Sequence, residues 1–288
     1  MSGLVRQLSN VFKLRIGFTI AFTAVAGVAI TPGPGLEPWQ LAVLALAVLI
    51  SSASAGGYNQ YMERDLDARM HRTSNRPFVT GALHHGPYFL VILGCMLAAS
   101  VGAAAYWLNG MSALYVFLGA FVYSIVYTSW LKRRTWLNIV FGGLAGSFAV
   151  LAGAAAVDPQ LGILPVLFAV VLFLWTPSHF WSLAIVLHED YKAAGVPMLP
   201  VVVGDRKAAQ VIFVNTVMLV GVSLIPAWYG MGWIYLMGAA AGGALFLFKN
   251  LQLLRDPSVK MARANFHASL IQLTLLLAAA IADVGILG

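Results

Sequence analysis

Nine stretches of roughly twenty residues carry almost no charge, and they leave the chain little choice of fold. They lie near 12–30, 39–58, 87–107, 112–130, 138–156, 162–187, 208–228, 232–249 and 266–286. A helix needs about 20 apolar residues to cross the hydrocarbon of a bilayer. The whole chain is 60% hydrophobic and 9% charged over 288 residues, more apolar surface than a soluble domain of that size can hide. The spacing predicts an all-α, polytopic membrane protein. It has nine transmembrane helices and one domain spanning residues 1–288.

The basic residues orient it. Lys and Arg of short loops stay in the cytoplasm. All 17 of them fall in the N-terminal segment or in the alternate loops that share its side, from Arg64 to Arg76, Lys132 to Arg134, Lys192 to Lys207 and Lys249 to Arg263. The other connections, "TPGPGLEP", "LNGM", "VDPQ" and "YGMG", have none. The N-terminus is therefore expected in the cytoplasm and the C-terminus outside. The net charge of +7 is read as an orientation device beside anionic lipid, which leaves no reason to expect nucleic acid as a partner. No cleavable signal is visible. Cys95, the single cysteine, lies inside a span, which excludes an internal disulfide. "GGLAG" (142–146) and "GAAAG" (238–242) are patterns of helix packing.

Against that background one segment stands apart. "NQYMERDLDARMHRTSNRP", residues 59–77, holds Glu63, Arg64, Asp65, Asp67, Arg69, Arg72 and Arg76. Asn59, Glu63 and Asp67 are spaced i, i+4, i+8, so a continuous helix would carry them in one row, with Asp65 nearly opposite. Two carboxylates in a row repel unless a cation lies between them. Hard divalent cations such as Mg²⁺ prefer these oxygens and share them with phosphate. A second acidic helix end, Glu189 and Asp190, follows the sixth span on the same side. Arg64, Arg72, Arg76, Lys132, Arg133 and Arg134 surround the two. Acids holding Mg²⁺ and bases holding phosphate oxygens suit a lipid-soluble diphosphate. Metal ligands are thus expected among Asn59, Glu63, Asp67, Glu189 and Asp190.

At these residues the sequence resembles the UbiA-type intramembrane prenyltransferases. Four blocks narrow the resemblance to the protohaem IX farnesyltransferase (haem O synthase) branch: residues 59–77, "YTSWLKRRTWLNIVFGG", "TPSHFW" and "DYKAAGVPMLPVV". It runs from about Lys13 to the last span. The chain departs from the pattern in four places. Glu63 stands where Asp is usual and Trp136 where Pro is usual. "GSFAVLAG" (146–153) lacks paired prolines, and Val186 replaces the first Asp of a second motif.

The resemblance implies a helical bundle around a central cavity open sideways to the bilayer. It implies farnesyl diphosphate and haem B as substrates, haem O as product and Mg²⁺ as cofactor. In that scheme Asn59, Glu63, Asp67 and Asp190 are the catalytic residues, and Arg64, Arg72, Arg76, Lys132 and Arg133 bind the diphosphate. The site would lie towards the cytoplasm of a bacterial inner membrane, with membrane lipid around it and a haem A synthase or terminal oxidase assembly downstream. "TPSHFW" makes His179 the candidate for haem contact; the alternative is a neutral imidazole bonded to a carbonyl freed by Pro177. Tyr58, Tyr61, Tyr123, Tyr127 and Tyr191 form either an interfacial belt or a surface for a prenyl chain or a cation. Two other functions stay open. One is a prenyltransferase for an aromatic quinone precursor. The other is a transporter for an anionic lipid-like or porphyrin substrate, against which the lack of an inverted repeat counts.

Overall fold

The computed structural model describes residues 3–287, and among them every regular element is helical. A surface helix, α1 (Gly3–Val11), leads into α2 (Leu14–Ala29). Then come α3 (Pro38–Met62), α4 (Pro87–Trp107), α5 (Gly110–Leu131), α6 (Asn138–Val157), α7 (Ile163–Val186), α8 (Asp205–Tyr229), α9 (Trp233–Arg255) and α10 (Val259–Leu287).

Eight of these, α3 to α10, are long and apolar enough to cross a membrane, where nine were expected. The difference lies in the first expected span. It forms α2, with 16 residues, about 24 Å at 1.5 Å per residue and short of the ~30 Å hydrocarbon. Lys13 shortens it. Its backbone is left-handed (φ 48°), a conformation costing a non-glycine residue about 1–2 kcal/mol, and it ends the preceding helix.

Local sequence sets the helix starts. Pro38 and Pro87 occupy first-turn positions, where a missing N–H costs nothing. Glu37 and Gln40 form a capping box at α3, and Asn109 accepts the Ser112 N–H at 2.9 Å to start α5. Asp283, near the end of α10, is buried. Its carboxylate accepts the backbone N–H groups of Gly232 at 2.5 Å and Tyr235 at 3.0 Å. It caps α9 from α10, satisfying donors that a helix start leaves unpaired.

Consecutive helices pack as neighbours, and α10 returns to α2, so α2 to α10 close into a ring. The tightest crossing joins α2 to α6. A methyl on Gly153 would lie 1.8 Å from the Ala24 carbonyl oxygen, and one on Gly27 would lie 2.2 Å from that of Val150. Small residues let membrane helices approach this closely. Of the two patterns read in the sequence, "GAAAG" packs on α10, with Gly238 against Ala279 and Gly242 against Gln272. In "GGLAG", Gly142 meets Tyr127 while Gly146 has open space.

Candidate active site

The expected continuous helix through Asp67 is broken. α3 ends at Met62, Glu63 leaves helical geometry (φ −98°, ψ 14°), and a separate turn, Arg64–Asp67, follows. The row survives the break, because burial of Leu66 and Met70 rotates the turn onto the same face. Asn59, Glu63 and Asp67 are each 2% exposed. Asp65 points away, as its helical angle requires.

Each buried acceptor meets its own base. The Lys132 Nζ donates to both Glu63 oxygens at 2.7 and 2.6 Å. An Arg76 nitrogen spans both Asp67 oxygens at 2.8 and 2.7 Å. The Lys13 Nζ donates to Asn59 Oδ1 at 2.6 Å and to the Tyr123 hydroxyl at 2.9 Å. Asn59 Nδ2 in turn donates to Thr128 at 3.0 Å. Burial pushes the Asp67 carboxyl above its ordinary value, against the pull of Arg76. Burial and the nearby Arg76 lower the Lys13 ammonium to about 7. For Lys132, burial acts downward, but the Glu63 carboxylate outweighs it and holds the ammonium above its ordinary value.

The second half of α5 supplies the facing wall. Residues Val122–Leu131 form a π-helix, a rare element that gathers at functional sites. Its i→i+5 bonding brings Tyr123, Thr128 and Lys132 to one side, where an α-helix would fan them apart. Lys13 lies 5.4 Å from the Tyr123 ring centre and Lys132 lies 5.6 Å from that of Tyr127, so these tyrosines face cations.

Beneath Lys13, Gly56 and Tyr123 a cavity of about 110 Å³ enters the bundle between α2, α3, α5 and α6, reaching Val48 and Ala149. From Gly56 to Val48 it follows about 12 Å of α3. Its walls are almost wholly apolar. Ile16, which lines it, is 56% exposed, so the cavity opens sideways.

The remaining expected residues are placed differently. Asp190 joins this end of the molecule, but its carboxylate accepts the backbone N–H groups of His71 and Arg72, each at 3.2 Å, and so anchors the 68–76 loop. Glu189, Arg64 and Arg72 are exposed, and none forms an ion pair among the described residues. Arg133 grips Asp65 at 2.8 and 2.7 Å, holding that carboxyl below its ordinary value by hydrogen bonding. Both side chains are well exposed (41% and 52%), so Arg133→Ala should cost under about 1 kcal/mol of stability in thermal unfolding.

His179 and Asp190 do not share one helix. α7 stops at Val186 and a new turn begins at His188. His179 is buried between the rings of Trp175 (4.2 Å) and Phe266 (4.4 Å). Its Nδ1 bonds the Ser269 hydroxyl at 2.7 Å, not a carbonyl freed by Pro177.

Lys13 and Thr128 were missed in the sequence. A lone lysine at the cytoplasmic start of a span reads as an orientation charge, and a threonine inside one as packing. A signal existed for Lys13 in its place beside the first apolar run, but nothing in spacing ties residue 13 to residue 59.

As donors, an amide and two buried carboxylates in one row suit a hard cation. Among the described residues no three Asp, Glu, His or Cys side chains converge in a ready-made metal cluster. The row fits Mg²⁺ only when the bases that now hold it turn to another anion, and a diphosphate is such an anion.

Residues 20–276 match the UbiA prenyltransferase family. Protoheme IX farnesyltransferase 2 of Paramagnetospirillum magneticum is 52% identical, covering 98% of this chain and 98% of its own length. Protoheme IX farnesyltransferase 1 of the same organism is 49% identical over 96% and 98%. Among solved structures, one described for digeranylgeranylglyceryl phosphate synthase matches with a TM-score of 0.80 at 17% identity, covering 97% of this chain and 98% of that one. A UbiA homologue from Archaeoglobus fulgidus bound to DMAPP and Mg2+ gives 0.71 at 16%, over 97% and 99%; these two likenesses speak for the fold.

Proposed function

Since the chain belongs to the UbiA prenyltransferase family, among the protoheme IX farnesyltransferases, we propose that it transfers the farnesyl group of farnesyl diphosphate to a vinyl group of haem B, making haem O. The observation that carries the chemistry is the row Asn59–Glu63–Asp67, faced by Lys13, Lys132 and Arg76 at the mouth of an apolar cavity.

The allylic C–O bond of the donor breaks and its electron pair leaves with the diphosphate. Lys132, Arg76 and Lys13 are placed to take the charge developing on those oxygens. Mg²⁺ bound by Asn59, Glu63 and Asp67, with Asp190 and Glu189 on the facing loop, would supply Lewis-acid stabilisation of the same leaving group. Arg64, Arg72 and Arg133 border the entry and steer the anion. The vinyl π electrons then form the new C–C bond to the farnesyl carbon. Water adds to the cation left beside the porphyrin and loses a proton, giving the hydroxyl of haem O. The apolar cavity keeps water from the allylic carbon until that bond has formed.

The chain is an integral membrane protein. We place the site at the cytoplasmic face of a bacterial inner membrane, with nine crossings, α2 being a short one, and the N-terminus inside. Haem A synthase or a terminal oxidase assembly is the partner that the product implies. Single cysteines at Pro34, Asn109 and Pro159 should label from the periplasm, and at Ser74 and Ser258 only from the cytoplasm; a periplasmic signal at Ser74 overturns the orientation. The reaction is tested by incubating purified protein with farnesyl diphosphate, haem B and Mg²⁺. Haem O should appear as a later-eluting pigment, and its absence refutes the reading.

A further inference from the structure

The apolar cavity beneath the charged row ends at one level on the three helices that form its inner wall. Its deepest residue is Val48 on α3, Val116 with the neighbouring Tyr115 on α5, and Ala152 on α6. From Gly56 to Val48, from Tyr123 to Val116 and from Ala145 to Ala152 the helices descend about 10–12 Å. The α6 wall consists of Ala145, Ala149 and Ala152 at i, i+4 and i+7, one helical face without bulk. That face runs through "GSFAVLAG", which is unbroken helix; a proline there would bend the wall.

The floor is closed and held in place. Val48, Val116 and Ala152 are buried, and Leu44 and Ala113, one turn deeper on α3 and α5, pack with them in one cluster. Two buried hydroxyls tie the floor's backbone to neighbouring helices. Ser51 on α3 donates to the Val116 carbonyl at 3.1 Å, and Ser112 on α5 donates to the Ala152 carbonyl at 2.9 Å. Beside the floor, α2 and α6 meet backbone to backbone at Gly27 and Gly153. The helices therefore have little slack with which to admit a longer guest.

The charged row sets the other limit. Lys13 lines the mouth of the cavity and bonds Asn59, and Asn59 stands about 16 Å above Val48 along α3. Each isoprene unit adds four carbon–carbon bonds to a chain, about 5 Å when extended at about 1.5 Å per bond. Three units match the span from row to floor. Two leave the floor unfilled, and a fourth runs into Val48 and Ala152. We propose that this floor is a length stop that selects a fifteen-carbon donor. Val48 and Ala152 are its specificity-determining residues, and Ala149 keeps the turn above them open. The proposal rests on the reading of a prenyl diphosphate as the donor and is independent of the acceptor.

The test uses the full-length protein in detergent, with Mg²⁺ and without haem. Geranyl, farnesyl and geranylgeranyl thiolodiphosphates, whose bridging sulfur resists ionisation, are titrated by calorimetry. Wild type should bind the farnesyl analogue at least tenfold more tightly than either of the others. Ala149→Leu fills the turn above the floor. It should weaken the farnesyl analogue at least thirtyfold and the geranyl analogue less than threefold, reversing their order. Leu44→Ala/Val48→Ala lowers the floor by one turn and should tighten the geranylgeranyl analogue at least tenfold. Inorganic diphosphate with Mg²⁺ should bind within twofold of wild type in each variant, showing that the charged end is folded. Equal affinity of wild type for the farnesyl and geranylgeranyl analogues overturns the stop, for the fourth unit then leaves sideways past Ile16. Equal losses of geranyl and farnesyl binding in Ala149→Leu also overturn it, and that variant decides alone if the deepened one does not fold. Absence of binding by all three analogues removes the donor reading and the stop with it. Failure of wild type to form haem O, with the titrations as expected, removes the acceptor and leaves the stop standing.

Discussion

Asp67→Ala should lower turnover a hundred- to a thousandfold at saturating substrates. Losing one preorganised electrostatic group typically costs about 3–4 kcal/mol of transition-state stabilisation. The residue is 2% exposed and engages Arg76 with both oxygens, so the variant also frees a guanidinium. Asp67→Asn separates the two effects. It preserves volume and can still accept from Arg76, but it removes the charge. Turnover should fall nearly as far in Asp67→Asn as in Asp67→Ala while the unfolding midpoint stays close to wild type. Turnover within threefold of wild type in Asp67→Asn removes this carboxylate from the chemistry.

Lys132→Ala should cause a large loss of stability. It leaves the Glu63 carboxylate, 2% exposed, with no partner in a site closed to water. Breaking a buried pair from one side costs about 3–5 kcal/mol. The double variant Glu63→Gln/Lys132→Met removes both charges and should recover most of that loss in thermal unfolding. Turnover should not recover, because both the base for the diphosphate and an acidic donor are gone. Recovery of turnover in the double variant would mean that the pair is structural only.

Much of this architecture is legible in the residues themselves. Apolar runs bounded by loops of one charge sign give the helical class and nearly all of the helices, because lipid forces each span to be written out in full. α2 escapes that logic: residues 12–30 look long enough, and only the left-handed backbone at Lys13 shows where the helix starts. The buried row was readable because four-residue spacing survives a one-residue break at Glu63. Its partners were not readable in detail. Lys132 and Arg76 were expected near the site as anion binders, yet they hold the acids. That choice depends on how two loops meet, which no spacing within one segment records. The π-helix was illegible for a related reason: "VYSIVYTSWL" is an ordinary apolar segment, and its wider turn is fixed by tertiary contacts. His179 was singled out by its neighbours in sequence, whereas its ring is enclosed by Trp175 and Phe266 from two helices.

The one-to-one matching of Glu63 with Lys132, Asp67 with Arg76 and Asn59 with Lys13 has a thermodynamic consequence. A cation alone must evict bases that then have no anion to receive them. A diphosphate alone finds those bases already engaged. Bound together, the two ligands exchange partners with the protein and leave every charge matched. Each ligand's affinity should therefore rise by a common factor when the other is present, since such coupling is reciprocal. Inorganic diphosphate should tighten Mg²⁺ binding in calorimetric titrations by the factor by which Mg²⁺ tightens diphosphate. The resting enzyme then behaves as a closed charge circuit that opens only to the complete metal–diphosphate pair. A stray metal ion or a free phosphate is left outside it.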